Sequence, residues 1–142
     1  MNHISDKLLT ICRAYGVRDL YVFGSRADEI SALIKNVPAS CLYADADVDI
    51  GVLPDTPDPW SPEKKVELTI ELEDLFQVNR VDLVLLPEAD PFLCADIIAG
   101  ELLFTDDPDQ QARYELFVLR RAGDLLPFKK ARTRMILEKG AR

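Results

Sequence analysis

The spacing of apolar residues alternates along the chain between a helical and a strand-like repeat. Residues 5–15 place apolar side chains on one helical face, whereas acidic and aliphatic residues alternate strictly over 47–53. The pattern predicts helix 5–15, strand 18–23, helix 25–36, strand 47–53, helix 62–77, strand 80–86, a helix from 91 to just before Gly100, strand 101–105 and a helix from 108. This order predicts an α/β (α+β) fold with a small mixed sheet of about four strands and helices packed against it, and leaves the strand order open.

Local signals mark several element ends. Ser5 is the expected N-cap of the first helix, and Gly16 is its expected stop. Ser61 and the proline after it are typical of a helix start. Pro127 predicts a break or kink in the last helix. The apolar residues of that helix are expected to pack on the core: Leu116, Phe117, Leu119, Leu125, Leu126 and Phe128.

Length and composition limit the classes of protein. The 142 residues suit one domain, and an apolar content of 48% is enough for a real core. No apolar run approaches the roughly 20 residues that a membrane helix needs, so no membrane association is expected. The first ten residues lack the pattern of a secretory signal, which predicts a cytoplasmic protein.

Charge and reactive residues narrow the chemistry further. A net charge of −8 disfavours broad nucleic-acid binding, because an acidic surface repels the phosphate backbone. Cys12, Cys41 and Cys94 are too widely spaced for a zinc site and are expected to be buried free thiols. His3 is the only histidine, which nearly excludes a histidine base. A local basic cluster indicates a solvated helix face, a docking surface or a phosphate contact: Arg120, Arg121, Lys129, Lys130, Arg132 and Arg134.

The segment 47–53 carries the least ordinary chemistry. Alternate side chains of a strand share a face, so Asp47 and Asp49 point one way and Val48 and Ile50 the other. Two carboxylates this close raise each other's pKa unless a cation lies between them, and Mg²⁺ prefers such oxygens together with substrate phosphates. The alternative is a solvent-facing edge strand whose acids prevent aggregation.

A third acid, Asp82, lies in the otherwise apolar segment 80–86. That composition predicts a central strand, where a lone carboxylate needs a partner. If this strand neighbours the strand of Asp47 and Asp49, three carboxylates converge. Such a set can hold a pair of Mg²⁺ ions that orient a triphosphate and lower the pKa of an attacking hydroxyl. Alternatively, Asp82 forms a salt bridge with Arg80 or caps a turn.

Gly24 and Ser25 end the first apolar strand. Glycine lets the backbone approach a phosphate closely, the next helix offers free amides to an anion, and Ser25 adds a hydroxyl donor. A simple turn is the alternative. The order of Gly-Ser, then D-x-D, then a single Asp on three successive strands favours a nucleoside triphosphate site.

This ordered set resembles the nucleotidyltransferase superfamily of the DNA polymerase β type, and most closely its minimal nucleotidyltransferase (MNT) branch. The resemblance rests on YVFGSRA, DADVDIGVL, VDLVLL and FLCADIIAGELLFTDD. It implies the nucleotidyltransferase fold in a single minimal domain, 1–142, with a C-terminal helical segment at about 107–139.

The resemblance also implies an activity. Members of that branch transfer AMP from ATP to a hydroxyl, often as antitoxins that adenylylate a tyrosine of a partner HEPN-domain toxin. Carried over, the triphosphate would be held by Gly24, Ser25 and Arg26. The catalytic carboxylates and ligands of two Mg²⁺ ions would be Asp47, Asp49 and Asp82, and Asp82 would also activate the acceptor hydroxyl.

The chain departs from the family pattern in the same region. Asp28 and Glu29 stand where the family often has arginine and glycine, Ala46 stands at a common serine position, and the segment between Ser25 and Asp47 is longer than usual. Two alternatives therefore stay open. One is a catalytically silent module that neutralises a partner by contact. The other is a nucleotidyltransferase acting on a small molecule such as an aminoglycoside.

Overall fold

The computed structural model describes residues 3–38 and 45–138 and places nine regular elements in them. The helices are α1 (His3–Tyr15), α2 (Ala27–Lys35), α3 (Pro62–Phe76), α4 (Pro91–Ile98) and α5 (Pro108–Glu138). The strands are β1 (Val17–Phe23), β2 (Val48–Pro54), β3 (Val81–Leu85) and β4 (Glu101–Thr105). A short 3₁₀ turn, Leu86–Glu88, was not predicted. Within these residues no helix is both long and apolar enough to cross a membrane.

The four strands form one mixed sheet in the order β3-β2-β1-β4. β1 pairs antiparallel with both β2 and β4, while β2 pairs parallel with β3 through the crossover helix α3. The predicted mixed sheet is therefore confirmed. The predicted central position of the third strand is wrong, because β3 lies at the sheet edge. The apolar side chains of β3 are covered by helices on the faces of the sheet. An apolar composition is the same for a strand covered in this way at an edge and for a central strand, so it could not predict the position of β3.

Helices cover both faces of the sheet. On one face, the alternate residues Val48, Ile50 and Val52 of β2 are fully buried in a core shared with α1, α2 and α3. On the other face, Tyr21 of β1 and Leu53 of β2 are buried in a second core that α4 and α5 complete. The alternate apolar side chains of β2 thus face the larger core, and the residues between them face α4.

Gly51 allows α4 to press directly on the sheet. It lies on the α4 face of β2, and a Cβ added there would overlap Cγ2 of Ile97, a fully buried residue of α4. Any larger side chain at this position would therefore force α4 outward. The result is a close contact between helix and sheet one step along the strand from Asp49.

The helix ends agree with the sequence signals in most cases. The hydroxyl of Ser61 accepts a hydrogen bond from the Lys64 amide at the start of α3, as expected of an N-cap. Asp90 caps α4 by accepting from the amides of Phe92 and Leu93 at 2.9 Å. The predicted cap at Ser5 is wrong, because α1 already begins at His3.

The outer face of α3 is more apolar than its burial requires. Leu68, Leu72 and Phe76 are buried, whereas Val66 and Ile70 are 57% and 50% exposed.

Cys12 and Cys94 are buried free thiols, as predicted, and burial raises the pKa of the Cys12 thiol to about 12. Cys41 lies outside the described residues.

Helix α5 extends well beyond the sheet. At 1.5 Å per residue its 31 residues span about 46 Å, whereas strands of five to seven residues span about 17–23 Å. Its first half is anchored by buried Val118 and by the hydroxyl of Tyr21, which donates to Glu115 at 2.9 Å and accepts from Gln111. The helix continues through Pro127, so the predicted break is absent, while the alternative of a kink stays a prediction.

The predicted packing of the apolar α5 residues on the core is wrong. All six are exposed: Leu116, Phe117, Leu119, Leu125, Leu126 and Phe128. Five basic residues of the predicted cluster are exposed as well: Arg120, Arg121, Lys130, Arg132 and Arg134. The side chain of Lys129 falls outside the description. Leu116, Phe117 and Leu119 surround buried Val118 but lie on the outer side of the helix, whereas Leu125, Leu126 and Phe128 come after Val118, the last buried residue described in α5.

Candidate functional site

Two neighbouring strands bring the predicted carboxylates together. Asp49 in β2 is directly opposite Asp82 in the parallel strand β3, and Asp47 immediately precedes β2. β2 lies between β1 and β3, so its acids are not the charges of an edge strand. Asp49 shares the strand face of Gly51, beyond the point where α4 covers the sheet. The arrangement forms an acidic, partly open rim at one end of the sheet.

Gly24 brings the β1 turn against this rim. It follows β1 with φ +79°, a conformation that side chains with a Cβ rarely adopt. An added Cβ would also lie 2.5 Å from Oδ2 of Asp49. Glycine is therefore required here both by backbone conformation and by space. The Gly-Ser turn and the D-x-D strand form one continuous surface.

The turn continues into α2, whose first residues face the same region. Ser25 is exposed, and the N-cap position of α2, Arg26, gives no side-chain cap hydrogen bond. The Ala27 amide donates to the Gly24 carbonyl at 3.3 Å, so the turn and the first residue of α2 are joined by a backbone hydrogen bond. The assignment of Gly24 and Ser25 to phosphate binding stays a prediction.

Arg26 is placed differently from an exposed phosphate contact. It is only 6% exposed, and its guanidinium donates to both carboxylate oxygens of Glu29 and, at 3.1 Å, to the carbonyl of Ala46. Ala46 directly precedes Asp47. In this arrangement the side chain links the start of α2 to the start of β2, and its assignment to phosphate stays a prediction.

The acidic departures from the family pattern are accounted for in part. Glu29 pairs with Arg26 at 2.6 Å, one turn apart on α2, so its charge is compensated within the helix. Arg26 and Glu29 are three residues apart, a spacing that is visible in the sequence and suits an ion pair on a helix. Asp28 is exposed on the same helix.

Electrostatic repulsion marks the carboxylates as a coupled group. Burial, and then the charges of Asp82 and Asp47, raise the pKa of Asp49 above that of an exposed aspartate. Asp47 and Asp82 each lie near Arg80, whose Nε is 3.6 Å from Oδ2 of Asp47 and 3.3 Å from Oδ1 of Asp82. The predicted Asp82–Arg80 salt bridge is thus present, and it extends to Asp47. The shared strand parity of Arg80 and Asp82 signals the first contact, whereas the second depends on strand pairing.

The donor set fits a hard divalent cation by its chemistry. Three carboxylates from adjacent backbone positions, with Asp49 under repulsion from the other two, are the ligands that Mg²⁺ prefers. In residues 3–38 and 45–138, however, no group of three or more His, Cys, Asp or Glu side chains already has the spacing to hold a metal. The three carboxylates are neighbours, but their oxygens do not surround a common point.

Two concavities among the described residues lie away from these acids. An open groove of about 690 Å³ runs between α1 and α3 and includes His3, Thr10 and Leu75. A smaller cavity of about 220 Å³ lies between α4 and α5 and includes Cys94 and Tyr114. Neither is lined by the carboxylates, and neither gathers convergent catalytic groups. Both concavities are therefore separate from the acidic rim of the sheet.

Comparison with known proteins places the chain in context. The sequence model described as "Polymerase beta, Nucleotidyltransferase" matches residues 6–109. None of the curated proteins matches the sequence. The toxin–antitoxin MntA–HepT superposes with TM-score 0.67 and 18% identity, covering 96% of this chain and 99% of that one.

Two further solved structures show the same fold. A toxin–antitoxin with AMP-PNP gives TM-score 0.69 at 19% identity, covering 94% of this chain and 98% of that one. A tri-AMPylated Shewanella oneidensis HEPN toxin in complex with MNT antitoxin gives 0.67 at 19% identity, covering 94% and 96%. At these identities the likeness is one of fold.

Proposed function

The chain belongs to the polymerase beta nucleotidyltransferase family, and we propose that it is a minimal member that transfers AMP from ATP to a hydroxyl of a partner protein. The observation that carries this proposal is the register of β2 and β3, which sets Asp49 opposite Asp82 beside Asp47. The Gly24 turn packs against the same carboxylates. Three carboxylates next to a glycine turn that leads into a helix suit a nucleoside triphosphate with its metal.

Asp47, Asp49 and Asp82 would hold Mg²⁺, as a pair of ions. When bound, Mg²⁺ supplies charge neutralisation for the phosphates and lowers the pKa of a hydroxyl. Gly24 and Ser25 would hold the triphosphate. Arg26 would act mainly through Ala46, by fixing the backbone that presents Asp47.

The chain's own groups account for the transfer step. The acceptor hydroxyl oxygen attacks the α-phosphorus of ATP, the bond from that phosphorus to the pyrophosphate oxygen breaks, and AMP is joined to the acceptor. The carboxylate of Asp82 receives the hydroxyl proton. Asp82 suits this task because it is on an edge strand and its side chain is 42% exposed, so a large acceptor can reach it.

A protein acceptor suits the shape of the molecule. The rim is open and the Asp82 side chain on it is 42% exposed, so a side chain on a protein surface can reach it. The structural neighbours include a HEPN toxin carrying AMP groups in complex with an MNT antitoxin. We propose a HEPN-domain toxin of the cytoplasm as partner, and a tyrosine of that toxin as the acceptor.

The direct test is adenylylation of a co-expressed HEPN-domain partner. Purified protein, partner, labelled ATP and Mg²⁺ are expected to give a labelled partner whose mass rises by AMP. Asp47→Asn with Asp49→Asn should abolish labelling while leaving the complex intact. Full labelling by that double variant would exclude the carboxylate mechanism.

A silent binding module is the second candidate. It is favoured by the ion pairs of Arg80, since two of the three carboxylates already have a cationic neighbour and no described acidic group is closed around a metal. Such a module would neutralise its partner by contact alone. If the double Asp→Asn variant binds the partner but no longer neutralises it, this candidate fails.

A further inference from the structure

Arg80 occupies a position that the proposed transfer reaction does not explain. Its Nε lies 3.3 Å from an oxygen of Asp82 and 3.6 Å from an oxygen of Asp47. One N–H group therefore lies near two carboxylates that come from two different strands. Among the described ion pairs, none links Arg80 to Asp49, the carboxylate whose pKa is raised.

The backbone fixes this placement. The carbonyl of Arg80 accepts a hydrogen bond from the Val48 amide at 3.0 Å, so residue 80 is bound to the first residue of β2. Val48 directly follows Asp47. Arg80 also precedes Asp82 by two residues and shares its strand face. The side chain is thus directed toward both acids by the same register that aligns Asp49 with Asp82.

The ion pairs of Arg80 with Asp47 and Asp82 are weak enough for another cation to displace the guanidinium. The Arg80 side chain is 68% exposed, and those of Asp47 and Asp82 are 41% and 42% exposed. Ion pairs with this exposure are screened by water and contribute little stability. The guanidinium compensates the acids in the absence of a stronger cation, yet a divalent ion can replace it.

We propose that Arg80 is an internal counter-cation that competes with the divalent metal for Asp47 and Asp82. The proposal rests on the proposed function only in assigning metal to these carboxylates. Competition keeps metal affinity low in the free protein. Metal then binds well only when a triphosphate adds its own negative charge, so metal and nucleotide enter together.

The test measures metal binding without nucleotide or partner. Mn²⁺, which also takes oxygen ligands, is titrated into the full chain, and free Mn²⁺ is followed by its electron paramagnetic resonance signal. Arg80→Ala is expected to bind Mn²⁺ about threefold to tenfold more tightly than wild type, the gain expected from releasing one or two exposed ion pairs. Arg80→Lys should stay near wild type.

A matched control separates contact from general charge. Arg13→Ala removes an exposed arginine from α1, on the other face of the sheet, and should leave the affinity unchanged. The gain in Arg80→Ala should become smaller at 0.5 M salt, because the exposed ion pairs of Arg80 are then screened in the wild type. Mn²⁺ should also raise the melting temperature of Arg80→Ala more than that of wild type.

Three results would overturn the competition. They are equal Mn²⁺ affinity in wild type and Arg80→Ala, an equal gain in Arg13→Ala, or no Mn²⁺ binding by Arg80→Ala. Asp47→Asn with Asp49→Asn in the Arg80→Ala background must abolish binding if the metal lies at these acids. Because ATP and partner are absent, failure of AMP transfer to a partner would leave this result unaffected.

Discussion

At the scale of single residues, the rim depends on close backbone approach as much as on carboxylate chemistry. Gly24 adjoins Asp49, and Arg80 adjoins Asp47 and Asp82. Each acid therefore has a defined neighbour that is not another acid. Substitutions at these neighbours should change ligand binding without touching a carboxylate.

Gly24→Ala should impair both folding stability and ATP binding. The added methyl group would lie 2.5 Å from Oδ2 of Asp49, and the φ of +79° adds a cost of about 1–2 kcal/mol. Thermal unfolding and calorimetric titration with ATP and Mg²⁺ would measure the two effects. Gly123→Ala in α5 is the matched control, since nothing lies within 4 Å of its Cβ. It should be neutral or more stable by up to about 1 kcal/mol, and equal losses in both variants would contradict the assignment.

Asp49→Asn should stabilise the metal-free protein at neutral pH. Burial and two neighbouring acids raise the pKa of Asp49, so the folded state binds the proton more tightly than the unfolded state. Stability is therefore lost as pH rises from the unfolded pKa through the raised folded pKa, and the whole penalty is present above it. Removing the charge removes that penalty.

Denaturant unfolding with a chelator at several pH values tests this. The advantage of Asp49→Asn over wild type should be largest at pH 7 and shrink as the pH falls toward 4. Asp58→Asn, at an exposed acid of the loop before α3, should change little. An Asp49→Asn variant that is less stable than wild type at pH 7 would show that the carboxylate has a favourable partner.

At the scale of elements, the edge position of β3 makes its outer side depend on α3. The Val81 amide points away from β2 and donates to Oε2 of Glu73 at 2.9 Å. A side chain of the crossover helix thus takes the place of a neighbouring strand. This leaves the edge short and covered next to Asp82.

Glu73→Ala should lower the free energy of unfolding by about 1–2 kcal/mol, because the Val81 amide would lose its acceptor in a partly buried place. Amide hydrogen exchange at Val81 should become faster. Glu73→Gln keeps an acceptor oxygen and should restore most of the stability. If Ala and Gln behave alike, the hydrogen bond is not what holds the edge.

The sequence predicted the individual helices and strands better than it predicted which strands lie side by side. The alternation of Val48, Ile50 and Val52 identified β2 and its buried face, because one face of a strand leaves a period of two. The same reasoning placed β3 centrally, since apolar residues covered by helices and by strands look alike. The contact of Gly24 with Asp49 needs the β1–β2 register, which no local pattern contains.

At the scale of the whole molecule, α5 is the feature that the fold itself does not use fully. Its first half is anchored to the sheet, while apolar side chains of the remainder stand exposed beside arginines. The protein as a whole is acidic, with net charge −8. This helix therefore differs from the rest of the surface in both hydrophobicity and charge, as expected of a surface that contacts the proposed protein partner.

Leu119→Ser with Phe128→Ser should weaken the complex with the HEPN-domain partner by about tenfold or more, since buried apolar anchors contribute most to interfaces. These side chains are 54% and 74% exposed, so folding should be unaffected. Val66→Ser with Ile70→Ser on α3 is the matched control and should leave the complex unchanged. Interferometry on immobilised partner measures both, and equal weakening would place the interface elsewhere.

The contact between Gly51 and Ile97 bears on how the sequence can change over evolutionary time. A side chain at position 51 has no room while position 97 keeps an isoleucine, so the two sites cannot vary independently. Relatives that gain a methyl group in β2 are expected to carry a smaller residue in α4. Positions 51 and 97 are therefore expected to change together in evolution. The backbone next to Asp49 can then keep its position while both residues change.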